Sequence, residues 1–186
     1  MDFQDNEPEA VVTQRAVGGA LGILKTCLRS KTVKRVVFTS SIASVYFNNK
    51  NVDMMDESFW TDVDYVRELE SYVSSYAITK TMTEKAVLEF AAEHGMYLVT
   101  VVPPLVVGPF ICPKLTGCLE EIEGPRMPGL SSKKLLDSGF KFKYGVKDMY
   151  DGAIKCCKEK GTKYTVMDIP RSRRYTFKDE VETVWN

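Results

Sequence analysis

Tyr76-Ala77-Ile78-Thr79-Lys80 places a phenol and an ammonium four residues apart, the spacing that puts two side chains on one face of a helix. Ahead of it lies the apolar run Arg35-Val36-Val37-Phe38-Thr39-Ser40-Ser41, which ends in two hydroxyls. A free tyrosine has a pKa of about 10, too high for proton transfer near neutrality. A nearby ammonium favours the phenolate and lowers that value. A serine hydroxyl can hydrogen-bond a substrate carbonyl oxygen and orient it. Together the three groups can exchange a proton with that oxygen while a nicotinamide cofactor supplies the hydride, which no side chain donates.

The bare Tyr-x-x-x-Lys pattern is expected about once by chance in such a chain, and context must decide. A second match, Tyr46-Phe47-Asn48-Asn49-Lys50, runs into Asn48-Asn49-Lys50-Asn51, a stretch that reads as loop. Nothing there holds the two side chains on one face. Tyr76 and Lys80 instead open a periodic segment in which Ala77, Ile78, Met82, Ala86, Val87, Phe90 and Ala91 form an apolar side. That segment is predicted to be a helix from about Ser75 to His94, stopped by Gly95.

Buried strands are predicted on both sides of this helix, one over Val33 to Ser41 and one over Tyr97 to Val102, ended by Pro103-Pro104. Strand, crossover helix and strand, rich in β-branched residues, form the pattern of a parallel α/β sheet. Ligands bind outside the carboxyl ends of strands in such sheets, the rim on which Ser40-Ser41 and Pro103 should lie. An amphipathic helix is predicted from Pro8 to about Arg29 on Val12, Ala16, Val17, Ala20, Leu21, Leu24 and Leu28. Its Gly18-Gly19-Ala20-Leu21-Gly22 is not a phosphate loop, because no strand precedes it; close helix packing or chance explains it. Later, Ser131 caps a short helix through Leu136 ended by Gly139, and a longer helix runs from about Val146 to Lys160. Residues 162–186, with Arg171-Ser172-Arg173-Arg174, read as a loosely attached, disordered tail.

Composition sets the outer bounds. The 186 residues are 44% hydrophobic and 27% charged, as in a soluble globular protein with a real core. Twenty-five basic residues balance 25 acidic ones, so net charge gives no pull towards nucleic acid or an anionic membrane. No apolar run reaches membrane-spanning length and no signal-peptide pattern opens the chain, which makes the cytoplasm the expected location. The cysteines, Cys27, Cys112, Cys118, Cys156 and Cys157, are odd in number with two adjacent, and are expected to be reduced structural thiols. A single histidine, His94, suits a helix C-terminus and leaves neither a Ser-His-Asp triad nor a multi-histidine metal site.

These residues resemble the extended short-chain dehydrogenase/reductases of plants, specifically the dihydroflavonol 4-reductase group. The resemblance rests on Thr32 to Ser41, Asp56-Glu57-Ser58-Phe59-Trp60-Thr61-Asp62-Val63-Asp64, Tyr76 to Thr81, Pro104-Leu105-Val106-Val107-Gly108-Pro109-Phe110 and Cys112-Pro113-Lys114-Leu115. Lys133-Lys134-Leu135, Phe140 to Tyr144 and Cys156 to Gly161 extend it. It implies a Rossmann-type, doubly wound parallel sheet of which the later strands and helices are retained. It also implies NADPH-dependent reduction of a flavonoid or isoflavonoid ketone to an alcohol. Ser41, Tyr76 and Lys80 match the catalytic residues, and Tyr76, Lys80, Pro103, Leu105 and Val106 the positions near the nicotinamide end. The expected domains are residues 1–118, the catalytic half of the NAD(P)-binding domain, and 119–161, the remnant of a substrate domain.

Two departures accompany the resemblance. The family's Gly-x-x-Gly-x-x-Gly turn and first four strands would precede Met1, and a further block is missing between about Leu119 and Pro125. The chain is therefore read as a truncated, internally deleted member in which the binding of cofactor phosphates has no counterpart. The alternative is a catalytically inert relative, non-functional or bound to a full-length reductase. Two parallel strands cannot bury both faces, so an exposed hydrophobic sheet edge and self-association are expected.

Overall fold

The computed structural model describes residues 7–69, 73–104, 106, 108–109 and 128–160. It divides into two compact units, Met1–Leu105 and Val106–Asn186.

In the first unit, helix α1 (Glu9–Ser30) starts directly after Pro8, whose carbonyl accepts from the Val11 and Val12 amides at 2.9 and 3.3 Å. It closes at Lys31 in the left-handed conformation, φ 55°. Leu24 is buried and Val12, Ala16, Val17, Ala20 and Leu21 are half-buried, so the predicted apolar stripe is the packed one except at its end, where Leu28 is exposed. α1 packs along helix α3 (Ser74–Glu93), and the Thr13 and Thr79 hydroxyls meet between them at 2.9 Å. The glycines at 18, 19 and 22 lie inside α1, with open space where a Cβ would stand. Close packing, one of the two readings of that segment, does not explain them.

Strand β1 (Val36–Thr39) pairs in parallel with β3 (Leu98–Val101), Val36 opposite Leu98 and Thr39 opposite Val101. The ladder extends from the Val36 amide to the Tyr97 carbonyl (2.9 Å) and from the Ser40 amide to the Val101 carbonyl (2.8 Å). Side chains alternate by the pleat: Val36, Phe38, Leu98 and Thr100 are half-buried, while Val37, Thr39, Val99 and Val101 are exposed. Between the strands run β2 (Met54–Met55), α2 (Val63–Glu68) and α3. Asp62 caps α2 by accepting from the Asp64 and Tyr65 amides, both at 3.1 Å.

α3 is more polar on its buried side than an amphipathic helix usually is. Thr79, Thr81, Thr83 and Glu84 are buried along with Ala77, Ile78, Val87 and Ala91. Thr81 and Thr83 meet that cost by donating to the Ala77 and Thr79 carbonyls, each at 2.7 Å. A core of Ala43, Val66, Ala77 and Ile78, with Phe47, Val63 and Tyr76 against it, joins the helix to the turn that follows β1. His94 closes α3 as expected, its Nδ1 2.9 Å from the Phe90 carbonyl and its ring stacked on Phe90 at 4.0 Å.

The second unit contains β4 (Gly129–Leu130), α4 (Lys133–Asp137) and α5 (Val146–Glu159). The N-cap of α4 is Ser132 rather than Ser131, whose Oγ still accepts from the Lys133 amide at 3.3 Å; Gly139 follows the helix with a positive φ of +90°. Asp148 opens α5 by accepting from the Gly145 amide at 2.9 Å. Cys156 is buried, and Cys27 and Cys157, both half-buried, are free thiols. Cys112, Cys118 and the 162–186 tail lie outside the described residues.

Candidate active site

The site begins where β1 stops. Ser41 is fully extended (φ −158°, ψ 151°) and caps a short 3-10 helix, Ile42–Ser44, its Oγ accepting from the Ala43 amide at 3.2 Å. The Ile42 amide donates to the Pro103 carbonyl at 3.0 Å. That bond ties the carboxyl end of β1 to the carboxyl end of β3, so the two segments expected on one rim share it. Ser41 itself is buried.

α3 brings the other two residues to this rim. Tyr76 is half-buried against the core cluster containing Ala43, two residues beyond Ser41. Lys80 follows one turn later, its Nζ 5.9 Å from the centre of the Tyr76 ring. The same ammonium reaches the Thr39 carbonyl at 3.5 Å, the long limit of a hydrogen bond, two residues before Ser41. Lys80 thus spans from the end of β1 to the face of Tyr76. Pro103 stands beside the Ser41 turn, Leu105 lies outside the described residues, and Val106, in the second unit, is 82% exposed.

Beneath Ser41 lies a group that residue types did not single out. Glu84, two turns beyond Tyr76, is buried, and its carboxylate accepts from the Ser40 and Ser44 hydroxyls, the latter at 2.5 Å. A glutamate in a charged, periodic helix reads as a solvated residue. The usable signal was its four-residue step from Lys80 together with the serines at 40, 41 and 44.

The second Tyr-x-x-x-Lys match forms no such site. Tyr46 packs edge-on against Phe47 (6.0 Å, 88°), and burial pushes its phenol above the ordinary value. Lys50 lies over the Phe59 ring at 5.0 Å. Among the described residues, no group of three or more His, Cys, Asp and Glu is placed to hold a metal ion. No helix among them is long and apolar enough to cross a membrane.

Parallel strands joined through a crossover helix, with serine, tyrosine and lysine gathered at their carboxyl ends, define an α/β protein of the Rossmann dehydrogenase type. Residues 3–122 match the NAD dependent epimerase/dehydratase family, and the chain belongs to that family. Dependence on a nicotinamide dinucleotide is thus a property of its family. Vestitone reductase of Medicago sativa is 37% identical over 236 residues, covering 87% of this chain and 72% of that protein. The dihydroflavonol 4-reductase of Zea mays is 32% identical, covering 87% of this chain and 66% of the relative. The crystal structure of vestitone reductase from alfalfa superposes with a TM-score of 0.73 at 36% identity, over 83% of this chain and 74% of that one. The resemblance to the dihydroflavonol reductase group and the partial Rossmann-type fold are both borne out. This chain spans about two thirds of the dihydroflavonol reductases' length. The match to vestitone reductase, at 236 residues, is longer than the whole 186-residue chain. That relative therefore carries internal positions with no counterpart here.

Proposed function

We propose that the chain is built as an NADPH-dependent reductase of a flavonoid or isoflavonoid ketone, with Ser41, Tyr76 and Lys80 as its catalytic residues. The observation that carries this reading is the placement of Lys80 between the Thr39 carbonyl and the Tyr76 ring, at the strand end that presents Ser41. The residues present suit the nicotinamide end of the cofactor: a half-exposed phenol and ammonium one turn apart, beside the Pro103 backbone. Lys80 would hold the nicotinamide ribose, with Tyr76 and the Pro103 backbone completing the contacts within the first unit. When bound, the reduced nicotinamide supplies a hydride for the carbonyl carbon.

The chain's own residues then handle the proton. Ser41 donates a hydrogen bond to the carbonyl oxygen and fixes its direction. Tyr76 releases its phenolic proton to that oxygen as negative charge develops there, giving the alcohol. Lys80 stabilises the phenolate left behind by its positive charge. In this reading residues 1–118 carry the nicotinamide half and 119–161 the substrate side, in the cytoplasm.

A second reading, an inert relative that pairs with a full-length reductase, is favoured by one observation: the exposed apolar face of Val37, Val99 and Val101. Titrating the purified chain with NADPH, and following cofactor fluorescence and ketone reduction, separates the two. Saturable binding with turnover of a dihydroflavonol would support the enzyme reading, against the missing counterpart for the cofactor phosphates. No saturation at millimolar cofactor would sink the enzyme reading and leave the second.

A further inference from the structure

Glu84 is 3% exposed in the middle of α3, and among the described residues no cation pairs with it. Burying a carboxyl group is costly unless its oxygens are bonded. Here one oxygen, Oε2, takes hydrogen bonds from both Ser40 and Ser44, whose hydroxyls are themselves 3.2 Å apart. The Ser44 hydroxyl also lies 2.8 Å from the Ser41 carbonyl. These contacts flank Ser41 on both sides in sequence, yet leave its own Oγ on the Ala43 amide. Four-residue steps along α3 run from Tyr76 to Lys80 to Glu84, each advancing roughly 6 Å along the axis. The first two face the rim; the third lies under the turn that crosses the helix.

We infer that Glu84 is a positioning residue: it clamps the Ser40–Ser44 turn to α3, so that Ser41 is held in register with Tyr76 and Lys80. The inference rests on the reading of those three residues as a reductase site. Among the described residues its hydrogen bonds go to Ser40 and Ser44, and it would act through those two serines. A carboxyl serving stability alone would need partners anywhere on the buried side. This one has both on the five-residue stretch Ser40–Ser44 that delivers Ser41.

The test uses the full chain and the variants Glu84→Gln and Glu84→Ala, with Glu89→Gln, exposed on the same helix, as control. Amide hydrogen exchange is read at Ala43 and Ser44, bonded to the Ser41 Oγ and carbonyl, and at Leu24 in α1. Steady-state kinetics with NADPH and a dihydroflavonol are read in parallel. In Glu84→Gln, exchange at Ala43 and Ser44 should rise about tenfold with Leu24 unchanged. Its kcat should fall roughly 10- to 100-fold with the KM for NADPH within about twofold. Glu84→Ala should be worse on both readouts, because glutamine keeps one acceptor oxygen. Unchanged exchange in the turn overturns the inference, as does acceleration spread evenly through α1. A loosened turn with an undiminished kcat overturns it too. If the parent chain neither binds NADPH nor turns over, the reductase reading falls by itself. Exchange then decides the clamp, local acceleration supporting it and uniform acceleration refuting it.

Discussion

Two tyrosines share a sequence pattern in this chain, and only their surroundings separate them. The Tyr76 ring has an ammonium over it, and Tyr46 has Phe47 at its edge and a phenol pushed up by burial. Proton donation should therefore belong to Tyr76 alone. Replacing Tyr76 with Phe removes one oxygen from a half-buried ring and should lower kcat/KM for ketone reduction roughly 100- to 10,000-fold. Tyr46→Phe should leave kcat/KM within about twofold. Thermal unfolding of both variants checks that each ring still packs, and equal losses of activity would refute the assignment. Lys80→Met should weaken NADPH binding as well as slow reduction, because the ammonium is assigned to both ribose and phenol. Fluorescence titration separates those two effects. Loss of turnover with unchanged NADPH affinity would leave the ribose contact unsupported.

Elements carried most of the information that could be read in advance. The crossover helix was expected over Ser75 to His94 and occupies Ser74–Glu93, because its apolar spacing and its glycine stop are both local signals. The parallel pairing followed from two β-branched runs on either side of it, and β1 and β3 are paired in that way. Glu84 escaped notice because burial of a polar side chain depends on what crosses the helix, here a turn 40 residues away in sequence. Extents also shrank: the nine residues predicted over Val33 to Ser41 and the six over Tyr97 to Val102 reduce to four that pair in each strand. The glycines of α1 make the opposite point: of the two explanations, close packing or chance, their open positions leave chance. Substituting alanine at Gly18, Gly19 or Gly22 should stabilise the chain by about 0.5–1 kcal/mol at each site, by removing backbone entropy from the unfolded state. Denaturant midpoints at constant slope measure this. A destabilised Gly→Ala variant would mean that something covers that face of α1 in solution.

At the scale of the molecule, the two-stranded sheet has one side towards α3 and, among the described residues, one side exposed. Val37, Val99 and Val101 are 66%, 45% and 47% exposed, with Val37 directly opposite Val99 in the register. Three β-branched side chains in a pleated row form a flat apolar surface, and covering them would contribute roughly 1 kcal/mol each. β1 also pairs on one side only among the described residues, so an open strand edge lies next to that surface. A second copy of this chain presents the same surface and the same edge, which makes self-association the expected behaviour in solution. Sedimentation velocity should show the mass rising with concentration, and heating should give a broad, concentration-dependent transition. Val37→Thr combined with Val99→Lys keeps a β-branched residue in β1 and places a charge on the bare face of β3. That variant should stay monomeric at concentrations where the parent chain associates, with Tyr76 and Lys80 untouched. A parent chain that remains monomeric and unfolds in one sharp transition would refute the prediction. It would also remove the one observation favouring an inert partner of a full-length reductase, and leave the Ser41–Tyr76–Lys80 rim as the feature through which the chain acts.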